Sequence, residues 1–403
     1  MSSWKFTKLA VTWLLTFCMS IAEMKVGQVK PVDTSAIEVR MKTDLSQSQF
    51  ARACRVFLFA NNREHPHFPQ LNTATPPMKA ILYQQYGPPD VLQMAEIAKP
   101  IPKPNEILIK IYATTVTSGD WRVRSLTVPA GFGWMTRLVF GISRPRQPIL
   151  GSELAGVVES VGKAVSRFKV GDAVFAFSDA RMGCYAEYKC MAQDGAVALK
   201  PPGLSYGEAA ALSFGGTTAW DFLRRAKLQR GESVLINGAS GAVGSAAVQL
   251  ARHVGAHVTA VCSTANMAWV RALGASHVID YTQEDFTQNG QTYDVIMDTV
   301  GTAPFSRSQA SLKDGGRLLL VLAGLADMLH APWASMRSGK KVIAGPVSVR
   351  VADLPFLAEL AAAGVFKPVI DRRYPFEQMV EAHRYVDSGR KKGNVVVMLG
   401  DEG

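Results

Sequence analysis

The chain is poor in the residues that build disulfide frameworks or metal clusters. Its 403 residues include five cysteines, at positions 18, 54, 184, 190 and 262. The number is odd and no C-x-x-C pair occurs, which argues against a disulfide scaffold and for a reducing, cytoplasmic setting. Cys184 and Cys190 have no further Cys or His near them in sequence, so a structural zinc is not expected there. Long apolar runs are scarce too. The stretch Leu9–Ala22, preceded by Lys5 and Lys8, is too short and too polar to span a membrane. It has the proportions of a signal peptide, with Ser20-x-Ala22 as a small-residue cleavage site, which leaves an organellar or secreted location as the alternative. Charge of one sign is not concentrated. The 44 Lys and Arg exceed the 33 Asp and Glu by 11, and residues 1–77 hold nine of the former and five of the latter. No basic tract stands out, so nucleic acid is not an expected partner.

Residues 1–77 lack sustained periodicity and end in Asn72-Thr73-Ala74-Thr75-Pro76-Pro77. They read as a poorly ordered extension, and three explanations stay open: a misplaced start, a targeting segment or an extra module. From Met78 to about residue 200, short alternating strands broken by Gly and Pro predict a β-barrel-like unit. Examples are Glu106–Tyr112, Gly156–Gly162 and Phe168–Phe175. From Leu204 the pattern turns helical, and strands then alternate with helices to about Val347, which predicts a parallel sheet covered on both faces. The decisive run is Asn237-Gly238-Ala239-Ser240-Gly241-Ala242-Val243-Gly244. It follows the apolar strand Glu232–Ile236, opens the helix-forming stretch Ser245–Arg252, and leads to a second strand, His257–Val261. Strand, glycine turn and helix in that order predict a dinucleotide site. Glycine lets backbone approach a pyrophosphate, and the helix N-terminus offers N–H groups and the positive end of its dipole. An anionic cofactor is a sufficient partner for the modest positive charge.

Further motifs carry a family resemblance. They are Pro148–Val158 (PILGSELAGVV), Phe168–Val174 (FKVGDAV), Ala209–Leu212, Thr217–Trp220, Leu273-Gly274-Ala275, Asp280-Tyr281 and Lys367–Asp371. With the glycine turn, they make Met78–Leu399 resemble the medium-chain dehydrogenase/reductase superfamily, in its zinc-free quinone oxidoreductase-like branch. The resemblance implies an α/β architecture: a GroES-like β-barrel catalytic domain (78–202 and 346–403) with an inserted Rossmann domain (203–345). The zinc enzymes of the superfamily place Cys and His where this chain has Ser118 and Ser152. Serine is a poor zinc ligand and Glu153 alone holds no metal, so no zinc is expected. Without that Lewis acid, alcohol oxidation is disfavoured, and hydride transfer from a reduced nicotinamide to a quinone, enone or enal fits better.

After the second strand the chain reads Val261-Cys262-Ser263-Thr264-Ala265-Asn266-Met267. No acid is present for ribose hydroxyls, and Ser263 and Thr264 are able to hydrogen-bond a 2′-phosphate, which favours NADPH over NADH. The resemblance adds Tyr281 beside the adenosine phosphate, and Arg390, Lys391 and Lys392 are candidate cations or a solvated basic turn. It also points to Thr218, Ser240, Gly241, Ala242, Val243, Gly244, Leu322, Gly324 and Asn394 as cofactor contacts. Thr218 has a helix cap as its alternative role, and Asn394 a turn. The stretch Thr117–Arg124 matches the acceptor pocket, with Thr117 as hydrogen-bond donor and Trp121 and Arg122 as substrate contacts. Relatives often carry Asn and Tyr at or near Thr117 and Arg122, and both are changed here. The insertion Pro129–Arg146 is a candidate apolar lid, which would suit a hydrophobic small-molecule acceptor. A homodimer paired along the Rossmann edge, Lys341–Ser348, follows by analogy. Alternatives to the reductase are a non-catalytic cofactor-binding scaffold or sensor, and a reductase of one specific carbonyl metabolite.

Overall fold

The computed structural model describes residues 76–400. The signal-like segment and almost all of the extension lie outside the described residues. The chain opens with a hairpin of β1 (Pro77–Tyr83) and β2 (Leu92–Ala98), paired antiparallel over their full lengths. The barrel unit follows with β3 (Glu106–Thr115), α1 (Ser118–Ser125), α2 (Gly133–Phe140), β4 (Glu153–Val161), β5 (Ala173–Phe177), β6 (Tyr188–Ala192) and β7 (Val197–Leu199). Next, α3 (Tyr206–Ala210) and α4 (Ser213–Ala226) lead out of it. The Rossmann unit is β8 (Ser233–Asn237), α5 (Ala242–Val254), β9 (His257–Cys262), α6 (Met267–Ala272), β10 (His277–Asp280), β11 (Tyr293–Asp298), α7 (Phe305–Ser308), β12 (Leu312–Leu320), α8 (Leu325–Ser338) and β13 (Lys341–Ala344). The chain returns through α9 (Asp353–Ala362), β14 (Ile370–Pro375), α10 (Met379–Asp387) and β15 (Asn394–Met398).

The Rossmann strands form one parallel sheet in the order β10-β9-β8-β11-β12-β13. Their sequences are apolar on both faces because helices cover both sides. The strand order reverses at β8, so a crevice opens past its carboxyl end, where open α/β sheets hold ligands. The barrel sheet runs β14-β15-β3-β4-β5-β7, with β6 also on β3. Its strands come from both sides of the Rossmann segment: β15 pairs antiparallel with β3, Val396 opposite Thr115. An insertion is therefore the observed topology.

Two local expectations shift. The strand foreseen at Phe168–Phe175 begins only at Ala173, because Asp172 accepts the Lys169 N–H at 2.9 Å and Gly171 sits at φ +91°, which closes a turn first. Helix α8 fills the interval before the last Rossmann strand, where alternation of strands and helices is expected but no bounds are set. Pro332 inside it masks the pattern, although Leu325, Leu329, Trp333 and Met336 recur at helical spacing.

The units share one apolar core. It runs from Phe175 and Val396 of the barrel through Leu212 and Phe222 to Val248 and Met297 of the Rossmann sheet. Gly215 lets α4 cross the start of α5, since a Cβ there would lie 2.6 Å from the Ala242 carbonyl oxygen. The walls of the crevice are thus held by packed helices, not by a hinge loop alone.

Candidate cofactor and acceptor site

The glycine turn has the spacing G-x-x-G-x-x-G, and its three glycines answer different demands. Gly238 is at φ +82°, and a Cβ on it would fall 2.2 Å from Val300 Cγ2. A Cβ on Gly244 would meet the Gly238 carbonyl oxygen at 2.1 Å, so the helix packs against the strand only because it is absent. Gly241, the N-cap of α5, is different: its φ is −82°, and the nearest atom to an added Cβ is 3.6 Å away. Among the described residues, nothing requires it to be bare. A Cβ there would instead fill the cradle at the helix N-terminus, where the first N–H groups of α5 have no partner within the helix. That vacancy fits a pyrophosphate. Ser240, Gly241, Ala242, Val243 and Gly244 all lie on this cradle.

Behind it, Asp298 at the end of β11 braces the crevice. Its carboxylate accepts from the N–H groups of Val300, Gly301 and Ala303 and from Asn237 Nδ2, at 2.8 to 3.0 Å. The sequence reading did not single out this residue. Leu322 lies in the turn after β12, and Gly324 caps α8, its N–H donating to Asp327 Oδ2 at 3.0 Å. Thr218 is the sixth residue of α4, too far in to cap it, and it is buried without a hydrogen-bond partner for its hydroxyl among the described residues.

At the adenosine end, Ser263 Oγ accepts from Asn266 Nδ2 at 2.9 Å and keeps its own proton to donate. Thr264 instead donates its hydroxyl proton to Asp280. Asp280 also accepts from the N–H and hydroxyl of Thr282, and these bonds, led by that of Thr264, hold its carboxyl below the usual range. An acid therefore does stand next to this corner, delivered by β10 beside β9. The Tyr281 ring is 63% exposed, open for stacking.

The C-terminal turn closes the cradle from the barrel side. The Gly393 N–H donates to the Ser240 carbonyl at 2.8 Å, and Gly393 forms an isolated parallel bridge with Gly241. Asn394 is committed elsewhere: both its backbone N–H and its side-chain Nδ2 donate to the Val369 carbonyl. This geometry supports the turn role for Asn394. Arg390 and Lys392 are exposed. Lys391 points inward, its Nζ donating to the Gly393 carbonyl at 2.7 Å. Burial pushes its amine down to about 8, against the pull of Glu153 and Asp371.

The acceptor pocket is built from side chains. Thr117 caps α1: its Oγ1 accepts the Asp120 N–H at 3.1 Å and donates to Asp120 Oδ2 at 2.7 Å. Its one proton is committed, which corrects the view of Thr117 as a free donor toward substrate. Burial raises the Asp120 carboxyl to about 6, opposed by the bonds from Thr117. The hydroxyls of Ser152 and Tyr185 sit beside it, and Tyr185 OH meets His383 Nε2 at 3.2 Å. Ser213 Oγ is buried without a partner among the described residues. Glu153 follows Ser152 and accepts from Thr115 Oγ1 and from the Phe214 N–H, which brings Ser213 to the same wall. Burial raises the Glu153 carboxyl to about 8. Trp121 packs on the barrel core, with Arg122 5.0 Å over its ring and donating to the Thr127 carbonyl at 3.1 Å.

The segment foreseen as a lid contains α2, tied down where Phe140 packs on the barrel and Tyr86 OH donates to the Gly141 carbonyl, and where the Leu325 N–H donates to Ala130. Trp134 and Leu138 stay exposed on its other face. At Ser118 and Ser152 the donors are hydroxyls. Among the described residues, no group of three or more His, Cys, Asp or Glu is arranged to hold a metal, and no helix is long and apolar enough to cross a membrane.

Residues 103–217 match the alcohol dehydrogenase GroES-like domain, and residues 273–397 match the zinc-binding dehydrogenase domain. A chloroplastic quinone-oxidoreductase homologue of Spinacia oleracea is 32% identical over 338 residues, covering 79% of this chain and 98% of that protein. The chloroplastic NADPH-dependent alkenal/one oxidoreductase of Arabidopsis thaliana is 30% identical over 332 residues, covering 79% of each. The solved quinone oxidoreductase of Coxiella burnetii superposes with a TM-score of 0.72 at 29% identity, over 81% of this chain and all of that one. The barrel interrupted by a Rossmann unit and the glycine cradle between them agree with these likenesses. The chain belongs to the medium-chain dehydrogenase/reductase superfamily, in its quinone oxidoreductase-like branch.

Proposed function

We propose that the chain is a zinc-independent oxidoreductase that uses NADPH to reduce quinones or α,β-unsaturated carbonyls. The observation that carries the reading is the bare Gly241 at the N-terminus of α5, a space that the protein's own packing does not need. A reduced nicotinamide bound there supplies the hydride. The cradle from Ser240 to Gly244 holds the pyrophosphate, with Thr218, Leu322 and Gly324 along the nicotinamide half. Ser263 has a proton free to donate to a ribose hydroxyl or a 2′-phosphate, Asp280 is occupied by Thr264 and Thr282, and the choice of NADPH is supported by the relative named as NADPH-dependent. In an enone or quinone the electron-poor carbon receives hydride and the oxygen gains charge. The buried Ser213 hydroxyl, with no partner among the described residues, is a donor available to that oxygen, while the Ser152 hydroxyl lies against Asp120. Hydroxyls where the zinc enzymes carry thiolate and imidazole support chemistry without a metal.

The outer edge of β13 is unpaired among the described residues, and Leu329, Trp333 and Met336 on the adjacent α8 are exposed. These features support a homodimer joined there, and light scattering on the full chain tests it. The activity is tested by NADPH and NADH oxidation with a quinone, a short enal, a long enone and a simple aldehyde, with a chelator present. Chelator-resistant turnover of quinone or enone, faster with NADPH, is expected. Cofactor binding without turnover of any acceptor would overturn the reductase and favour a scaffold, a reading that the committed proton of Thr117 keeps in play.

A further inference from the structure

Trp134 and Leu138 stand four residues apart on α2, so they share one side of the helix, and they are 54% and 37% exposed. Ile142, just past the helix, is 52% exposed. Exposed apolar residues are ordinary one at a time. These three are set apart by what stands beside them. Between Asp120 and Glu153 the chain has five Arg and no acid. Two of the five are committed: Arg122 to the Thr127 carbonyl, and Arg124 to Asp387 and the Gly87 carbonyl. The other three, Arg137, Arg144 and Arg146, gather at the C-terminal end of α2. Arg137 Nη1 donates to the Ile142 carbonyl at 2.7 Å, Arg146 Nη1 to the Val139 carbonyl at 3.3 Å, and the Arg146 N–H to the Phe140 carbonyl at 2.7 Å. The loop that gathers them is tight. Gly141 is at φ +130°, and a Cβ on it would fall 1.9 Å from the Arg144 carbonyl oxygen. All three Arg are exposed, and among the described residues none is paired with a carboxylate. Asp327, the acid at the start of the neighbouring α8, is turned to the Gly324 N–H.

We propose that the exposed face of α2 seats the protein on an anionic lipid surface, and that its acceptor is a quinone or enone dissolved in that lipid. The second half rests on the reductase reading. Tryptophan and leucine suit the boundary of the acyl chains, and guanidinium groups suit anionic headgroups. A second copy of this chain answers the charge poorly, because a twofold contact through the same face would set arginine against arginine. The helix is also placed for a lipid-borne acceptor. Its start is tied to the turn that carries Leu322 and Gly324, the candidate nicotinamide contacts. The Leu325 N–H donates to the Ala130 carbonyl at 3.0 Å, and a Cβ on Gly131 would fall 2.7 Å from Leu325 Cβ. Its end packs through Phe140 on the cluster that holds Trp121 and Val123 of the acceptor stretch. With three apolar side chains and three charges, the contact is a reversible foothold and not an anchor.

The test is sedimentation of the full chain with vesicles of phosphatidylcholine, alone or with phosphatidylglycerol added. Beside it, NADPH oxidation is followed with a short-chain soluble quinone and with a long-tailed quinone carried in the same vesicles. Wild type is expected to bind the anionic vesicles about tenfold or more tighter than the neutral ones, and less tightly as salt is raised. Trp134→Ser with Leu138→Ser is expected to weaken that binding about tenfold. Arg144→Gln is expected to weaken it about fivefold, and Arg144→Lys to bind as wild type does. The weakened variants are expected to lose rate on the vesicle-borne quinone relative to the soluble one. Equal vesicle binding by wild type and the weakened variants would overturn the proposal. So would an equal loss of both quinone rates, which would put α2 in the acceptor site itself, or a change of oligomeric state in light scattering, which would make the face a contact between copies. Turnover of the soluble quinone in those cases leaves the reductase reading intact. Vesicle binding that depends on α2, with no turnover of either quinone, would overturn the reductase reading and the lipid-borne acceptor with it, and would support the docking surface alone.

Discussion

The candidate cofactor cradle and the candidate acceptor pocket are made in different ways. The cradle is main chain: three glycines, the open end of α5 and a carbonyl met by the C-terminal turn. The pocket is side chain: a threonine held by an aspartate, the buried serines that precede Glu153 and Phe214, and a buried Tyr185–His383 contact. A main-chain site tolerates almost any neighbour but no extra atom. A side-chain site tolerates small changes of shape, yet its chemistry depends on which partner takes each proton.

The comparison breaks most sharply at Gly244. Gly244→Ala sets a methyl against the Gly238 carbonyl oxygen, which costs about 1–3 kcal/mol of stability and opens the cradle. A drop of several degrees in Tm with loss of cofactor binding is the expected result, and an unchanged Tm would refute the close-packing role. Gly241→Ala sharpens the contrast, because the free chain has room for the methyl. Tm is expected to stay within about a degree, while cofactor affinity falls about tenfold or more. Affinity equal to wild type would mean that the space serves something else.

On the pocket side, Asp120 gives a pH signature. Its folded carboxyl titrates at about 6, above the 3.8 of the exposed group. The folded state therefore holds the proton more tightly, and its stability falls as pH rises from about 4 to 6, by on the order of 2–3 kcal/mol. Asp120→Asn is expected to flatten that slope in urea unfolding between those limits. Thr117→Val removes the cap of α1 and is expected to cost about 1 kcal/mol, with Thr117→Ser restoring most of it. A large loss of turnover with unchanged stability in Thr117→Val would reinstate Thr117 as a substrate donor. The smallest effect is expected at Tyr281, where removing the exposed ring by Tyr281→Ala should weaken NADPH a few-fold, read by fluorescence titration.

The same division explains what the sequence disclosed. The β8–turn–α5 unit was legible because glycine spacing and strand–helix order are local, and a backbone site needs little else. The two-part barrel followed from the family motifs. Thr117, Asn394 and Asp280 were not legible in the same way. Threonine is equally good as a donor or a cap, and only the fold shows Asp120 taking its proton. Asn394 spends its N–H and Nδ2 on the Val369 carbonyl, 25 residues upstream, a partner that its neighbours in sequence do not reveal. Asp280 reached the adenosine corner from a neighbouring strand, a pairing that reading along the chain does not reveal. Lys391 was visible as a charge, but its inward direction depended on a carbonyl two residues on and a carboxylate from the barrel.

The pairing of β15 with β3 bears on how the chain is made. Thr115 finds its partner Val396 only after some 280 further residues have been added. At the usual rates of synthesis that is a wait on the order of tens of seconds. The Rossmann sheet draws all its strands from one continuous stretch, Ser233 to Ala344, and is complete before β15 leaves the ribosome. The nascent protein therefore carries a finished nucleotide-binding unit beside a barrel still open at Ala113–Thr115 of β3, the stretch that only β15 closes.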